Sequence, residues 1–126
     1  MSYQDDVNKF MEAADQRIKL VAYPEFDISD PQTELYMKLI QEEFDETLDA
    51  FSKADTIGVA DGLADMVWVI MGLASSLGIP FDKVWDEVSA SNMSKVVDGK
   101  LIKREDGKVL KPEGYFRPDI NAVLFW

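Results

Sequence analysis

The sequence predicts an all-α fold, a bundle of four to five helices with a short C-terminal hairpin or loop extension. Two observations predict the helices. Apolar residues recur at helical spacing through the first two thirds of the chain, and strong helix start and stop signals stand at Asp30-Pro31 and Gly78-Ile79-Pro80. A third observation predicts assembly: the segment from Leu63 to Leu77 is apolar on nearly every side, too apolar for a chain of 126 residues to bury alone. A homodimer or homotetramer is therefore expected.

Val7, Phe10, Met11 and Ala14 fall at i, i+3, i+4 and i+7 and mark a first amphipathic helix over about Asp5 to Ala14. Ile18 to Asp30, with Pro24 and mixed aromatic and acidic residues, reads as an ordered loop. Asp30-Pro31 is an N-cap followed by proline at the first helical position, opening a helix that runs to about Phe51. Tyr36, Ile40, Phe44, Thr47, Leu48 and Phe51 form its apolar stripe. A third helix, expected to be central and buried, runs from near Asp55 to the Gly78-Ile79-Pro80 stop. A fourth, over Phe81 to Met93, turns Val84, Trp85 and Val88 inward. Beyond it the chain changes character, with turn dipeptides at Asp98-Gly99 and Asp106-Gly107, an expected hairpin over Lys100 to Lys111 around the second, and an extended tail to Pro118.

The length suits a single domain spanning residues 1–126, and with nearly half its residues apolar the chain is expected to be ordered. No unbroken apolar run reaches the roughly 18 residues that span a bilayer, so no membrane segment is expected. The first residues show neither the basic nor the apolar region of a signal peptide, and there is no cysteine, which agrees with a cytoplasmic location. A formal net charge of −11 argues against nucleic acid and anionic membranes as partners, since both demand a positive surface. With neither His nor Cys in the chain, any metal site must be built from oxygen ligands, which selects Mg²⁺, Mn²⁺ or Ca²⁺ over zinc or copper.

The chemistry-bearing residues are carboxylates. Gln41-Glu42-Glu43-Phe44-Asp45-Glu46 lies on the second helix, and Asp61-Gly62-Leu63-Ala64-Asp65 on the third. Glu43 and Glu46, at i and i+3, can converge on one ion, while Glu42 points farther round toward solvent. Alone, such an acidic run is most often a solvated helix face. Asp61 and Asp65 share one line with Trp68 and Gly72 on an otherwise apolar helix, and no Lys or Arg occurs from Ala54 to Asp82. An unpaired carboxylate in a core costs several kcal/mol or more, so these two need a distant Arg, inter-helix hydrogen bonds or a cation. Both carboxylate sets together favour a bound divalent metal.

The run EExxE, then LAD within an apolar segment, then SNMSK, then DGK and REDGKVLKPxGYFxPD resembles the MazG-like all-α nucleoside triphosphate pyrophosphohydrolases. The resemblance covers roughly Leu35 to Ile120. EExxE is its less specific part; Ser91 to Lys95 with Arg104 to Pro112 is more so. That superfamily includes phosphoribosyl-ATP pyrophosphohydrolases and all-α dUTPases.

The resemblance implies a metal-binding EExxE at Glu42, Glu43 and Glu46, with Glu43 and Glu46 as principal ligands of Mg²⁺, for which Mn²⁺ can substitute. The second family motif, ExxD, matches in part. Asp65 takes its aspartate position, but Gly62 stands where the glutamate would be, and an acid appears one residue earlier as Asp61. Because i−4 and i−3 are both helical neighbours of i, Asp61 can reach the same ion. The implied reaction is water attack on the α-phosphorus of a nucleoside triphosphate, releasing a monophosphate and pyrophosphate, with Glu42 orienting or deprotonating the water.

Asn92 and Lys95 match family residues that face ribose and phosphates, although an Asn and a Lys at a helix end also serve as cap and dipole complement. Arg104 and Lys108 sit in a cationic segment suited to closing over a triphosphate, or simply to solvation. Trp68 and Gln16 are candidates for stacking on and hydrogen bonding to the base; core packing is the commoner fate of such a Trp. Phe44, Phe51, Trp85 and Phe125 are expected in the core or at a subunit interface.

Some relatives favour guanine nucleotides and others dUTP or damaged nucleotides, so a purine (dGTP or GTP) preference is one expectation that these residues do not decide. A dUTPase, a phosphoribosyl-ATP pyrophosphohydrolase and a non-catalytic metal- or nucleotide-binding oligomer are the alternatives.

Overall fold

In the computed structural model, residues 2–125 are described, and they contain α1 (Tyr3–Ala13), α2 (Pro31–Ser52), α3 (Thr56–Leu77), α4 (Phe81–Met93), a two-stranded antiparallel sheet of β1 (Val96–Val97) and β2 (Lys100–Leu101), and α5 (Ile120–Phe125). This is the expected all-α class. The chain divides into two compact units, Met1–Phe81 and Asp82–Trp126.

In the first unit α3 packs against both α1 and α2. Each helix starts where a side chain can satisfy its free amides. Ser2 Oγ accepts from Asp5 N while Asp5 Oδ2 accepts from Ser2 N, both at 3.1 Å, a reciprocal cap that starts α1 two residues before the apolar register does. Asp30 Oδ2 accepts from Thr33 N at 3.0 Å ahead of Pro31, and Asp55 Oδ1 accepts from Gly58 N at 3.1 Å. Gly78 ends α3 at φ +74°, a left-handed cap that a Cβ would strain.

The core of this unit is small. Val7 and Met11 of α1, Tyr36 of α2, and Val69 and Met71 of α3 are its buried members, with Leu39, Ile40, Ile70 and Leu73 against them. A polar seam ties α1 to the end of α3: Gln4 Nε2 donates to Ser75 Oγ at 3.1 Å and to Ile79 O at 2.8 Å, and Gln4 Oε1 accepts from Phe81 N at 2.9 Å. The segment before α2 is an ordered loop, held by Lys19 N donating to Ser75 O and by Gln32 bonding both N and O of Arg17.

Three expectations about burial are corrected. Apart from Gly62, only the second half of α3 is buried; Ile57 is 84% exposed and Leu63 53%. The reason is length, since α3 spans about 33 Å and the 11 residues of α1 only about half of that. On α2 the apolar stripe is buried at Tyr36 and Thr47 and exposed at Phe44, Leu48 and Phe51, the last at 71%. Phe44, Phe51, Trp85 and Phe125 are thus not core residues, and Trp85 faces outward on α4 while Val84 and Val88 are half-buried. By length and mean composition alone α3 could cross a membrane, a property shared by core helices of helical bundles; Asp61 and Asp65 interrupt its apolar run.

In the second unit both turn dipeptides carry antiparallel pairing, and the two named strands lie at the first. Asp98 (φ +50°) and Gly99 (φ +77°) supply the two left-handed residues of a tight turn, pairing Val96 with Leu101 and Val97 with Lys100. Around Asp106-Gly107 the expected hairpin forms as a short one: Lys103 and Val109 make an antiparallel bridge, Leu110 N donates to Ile102 O and Arg104 N to Lys108 O, both at 2.8 Å, and Asp106 accepts from Lys108 N at 3.0 Å and from Arg104 within the turn. Ser91, buried on α4, donates to Phe116 O at 2.8 Å and anchors the tail.

Candidate active site

Glu43 is the electrostatic centre of the first unit. It is half-buried, and its Oε2 is shut from solvent without a hydrogen-bond partner. Burial holds its pKa above the ordinary carboxylate value, and the neighbouring charges of Glu46, Asp65 and Asp61 push it the same way. The packing of α2 on α3 therefore sets Glu46, Asp61 and Asp65 within electrostatic range of Glu43. Asp65 is half-buried, and Glu46 and Asp61 are exposed.

Among the described residues none of these four acids makes an ion pair with a Lys or Arg, and no three acidic side chains are gathered closely enough to form a ready metal cage. The residues nevertheless fit a hard cation. A desolvated, unpartnered carboxylate oxygen surrounded by like charges is relieved either by a proton or by a cation, and all the donors here are oxygen. Glu43 and Glu46 from α2 and Asp61 and Asp65 from α3 are the residues that would hold it. Glu42 is exposed beside Glu43.

Thr47 is the residue that sequence reading placed only in the apolar stripe. It is buried, its Oγ1 donates to Glu43 O at 2.6 Å, and it packs on Gly62 of α3. A threonine one turn after a ligand and a glycine inside an apolar helix are the signals that mark such a crossing.

Trp68 lies on the α1 side of α3, its ring edge-on to Phe10 with centroids 5.5 Å apart. With Tyr3 and Val7 of α1 and Leu63, Val67 and Met71 of α3 it lines an apolar cavity of about 390 Å³. Trp68 remains 38% exposed, so its indole is within reach of a ligand. Gln16 is elsewhere: its Oε1 accepts from the buried Tyr36 hydroxyl.

In the second unit Asn92 Oδ1 accepts from Lys95 Nζ at 3.1 Å. The Lys95 and Lys111 ammonium groups lie 5.7 and 5.3 Å from the centre of the Tyr115 ring, which gathers two cations on one aromatic. Arg104 is exposed and forked onto Asp106, and Lys108 is exposed.

The family model for phosphoribosyl-ATP pyrophosphohydrolase matches residues 6–92, more than two thirds of the chain. The match takes in all four carboxylates, Glu42, Gln16, Trp68 and Asn92, and stops short of Lys95, Arg104 and Lys108. No curated protein matches the chain.

Proposed function

The chain belongs to the phosphoribosyl-ATP pyrophosphohydrolase family, within the MazG-like all-α nucleotide pyrophosphohydrolases, and from that premise we propose that it is a Mg²⁺-dependent enzyme converting a (d)NTP to the (d)NMP and pyrophosphate. The observation that carries this reading is the buried, partnerless Oε2 of Glu43 among three further carboxylates. Such a cluster has no use for the protein's own stability, and it suits an acidic substrate only through cations. Mg²⁺ bound there would neutralise triphosphate oxygens and lower the pKa of the attacking water.

The residues divide the remaining work. Glu43, Glu46, Asp61 and Asp65 hold the charge that the triphosphate needs, and Glu42, exposed next to Glu43, accepts a proton from the water. Asn92 and Lys95 bind ribose and phosphate oxygens, with Arg104 and Lys108 adding cationic contacts. Trp68 stacks on the base at the mouth of its apolar cavity, and Gln16 acts on the base only if its bond to Tyr36 opens. The exposed Phe44, Leu48, Phe51 and Leu63 support assembly as a homodimer or homotetramer, and the nucleotide pools of the cytoplasm are the expected setting. A purine preference, for dGTP or GTP, belongs to this reading as its narrowest form.

The family match itself favours a second reading, hydrolysis of phosphoribosyl-ATP at the same bond. One experiment separates them: pyrophosphate release from the common rNTPs and dNTPs, dUTP and phosphoribosyl-ATP, with Mg²⁺ or Mn²⁺ and with EDTA. Metal-dependent release from one class names the substrate. Turnover surviving both Glu43→Ala and Asp65→Ala would sink the assignment, and a folded, metal-binding protein with no release from any substrate would make it a non-catalytic binder.

A further inference from the structure

Gly62 occupies the glutamate position of the second motif, yet it is buried, and what it meets is Thr47. A Cβ at position 62 would overlap Thr47 Oγ1 and stand 3.0 Å from Thr47 Cβ and 3.2 Å from its Cα. The hydroxyl could rotate aside, but Cβ and Cα are fixed to the α2 backbone, and a β-branched side chain has little rotamer freedom in a helix. Any side chain at position 62 therefore has to push α3 away from α2.

Thr47 transmits that spacing to the carboxylates. Its Oγ1 donates to the carbonyl of Glu43 at 2.6 Å, so the residue wedged against α3 is also tied to the backbone of the most enclosed acid in the cluster. One turn along α3 from Gly62 stands Asp65, whose charge acts on Glu43, and the residue immediately before Gly62 is Asp61, whose charge also does.

We propose that Thr47 and Gly62 form a positioning pair for Glu43, and that position 62 in this chain sets the helix spacing instead of supplying a ligand, leaving the fourth carboxylate to Asp61. This rests on the metal-dependent pyrophosphohydrolase reading. It has an unexpected consequence: installing the family's glutamate by Gly62→Glu weakens the site, because the side chain that would ligate also separates the two helices that carry the other ligands.

The test is Mn²⁺ binding by calorimetry, alongside melting temperatures in EDTA and in excess Mn²⁺. Gly62→Glu and Gly62→Ala are expected to bind Mn²⁺ about tenfold more weakly than the wild type, the scale typical of losing a group that orients a ligand. The metal-induced rise in melting temperature should shrink in both. Gly62→Ala, the smaller change, carries the test if Gly62→Glu fails to fold. The double variant Thr47→Gly/Gly62→Ala moves the missing Cβ to the other helix and restores the spacing, so it should bind Mn²⁺ more tightly than Gly62→Ala, though more weakly than the wild type because it lacks the Thr47 hydroxyl that bonds the Glu43 carbonyl. A Gly62→Ala protein with a lower melting temperature in EDTA but unchanged affinity would reduce the contact to packing and overturn the proposal. So would a Gly62→Glu protein that binds as tightly as the wild type or more tightly. A wild type that binds no Mn²⁺ would remove the enzymatic reading as well, which distinguishes the two failures.

Discussion

The ring of Tyr36 lies directly on the backbone of Gly72: a Cβ there would stand 2.5 Å from Tyr36 Cδ1 and 2.6 Å from Cζ. With Thr47 on Gly62, this makes two close crossings of α2 over α3, ten residues apart on α3. Tyr36 cannot swing away, because it is 3% exposed and its hydroxyl is bonded to Gln16 Oε1. Alanine in a helix interior is favoured over glycine by about 1 kcal/mol, whereas overpacking a filled core costs roughly 1–3 kcal/mol, with a trapped ring at the upper end. Gly72→Ala should therefore lose about 2 kcal/mol net, read as a lower urea midpoint. An unchanged midpoint would mean that the ring has room to move.

In the absence of metal Glu43 should cost stability at neutral pH. Its folded pKa is raised, by burial first and then by Glu46, Asp65 and Asp61, above the ordinary value of 4.5. Between those two values the folded state holds the extra proton, so its contribution is fully present below about pH 4.5 and is lost as pH rises through the folded pKa. In EDTA, Glu43→Gln should melt higher than the wild type at pH 7, with the difference vanishing toward pH 4. On the proposed function the order should reverse in excess Mg²⁺, because the variant lacks one of the proposed ligands. A Gln variant that melts lower in EDTA at pH 7 would show that the carboxylate has a partner after all.

The sequence made the helices legible because their ends are marked locally: Asp30-Pro31 and Gly78 act within one turn, and the observed ends of α2, α3 and α4 fall within a residue of the expected ones. The carboxylate cluster was legible for a similar reason, since uncompensated acids on an apolar helix stand out without knowledge of the tertiary structure. The two glycine crossings were not, because the partner of Gly62 is Thr47 on another helix, and nothing local to either residue announces the contact. That Phe44 and Phe51 lie outside the core of the single chain is not legible for the same reason. An apolar stripe states which face seeks cover but not how far along the helix the chain supplies it.

Asp30 should act as a joint between the loop and α2. Its carboxylate accepts from Thr33 N and Thr33 Oγ1 and is forked by Arg17, with Arg17 Nη2 at 2.7 Å. The Arg17 guanidinium and the Thr33 bonds hold its pKa well below the usual carboxylate range. A depressed folded pKa contributes stability that is present above the unfolded value of 3.8 and is lost as pH falls through the folded one. Asp30→Asn keeps a capping side chain but removes the charge, so it should lower the melting temperature at pH 7 by less than Asp30→Ala. The gap between wild type and Asp30→Asn should narrow below about pH 4. A gap independent of pH would assign the loss to geometry alone.

Trp68 offers the sharpest test of where the base binds. Its indole is edge-on to Phe10 on one side and open to the apolar cavity on the other, an arrangement that fixes the ring while leaving surface for a second aromatic. Stacking a base on an aromatic side chain contributes about 1–3 kcal/mol, so Trp68→Ala should raise KM by roughly fivefold to 150-fold. The base is remote from the α-phosphorus and contributes equally to ground and transition states, so kcat at saturation should change far less. Trp68→Phe, which keeps an aromatic face, should recover most of the affinity. If the base stacks there, affinity should follow the aromatic face through this series even when the melting temperature does not. A Trp68→Ala enzyme with unchanged KM and a lower melting temperature would instead place the indole in the packing of α1 on α3, and the base would have to be recognised elsewhere.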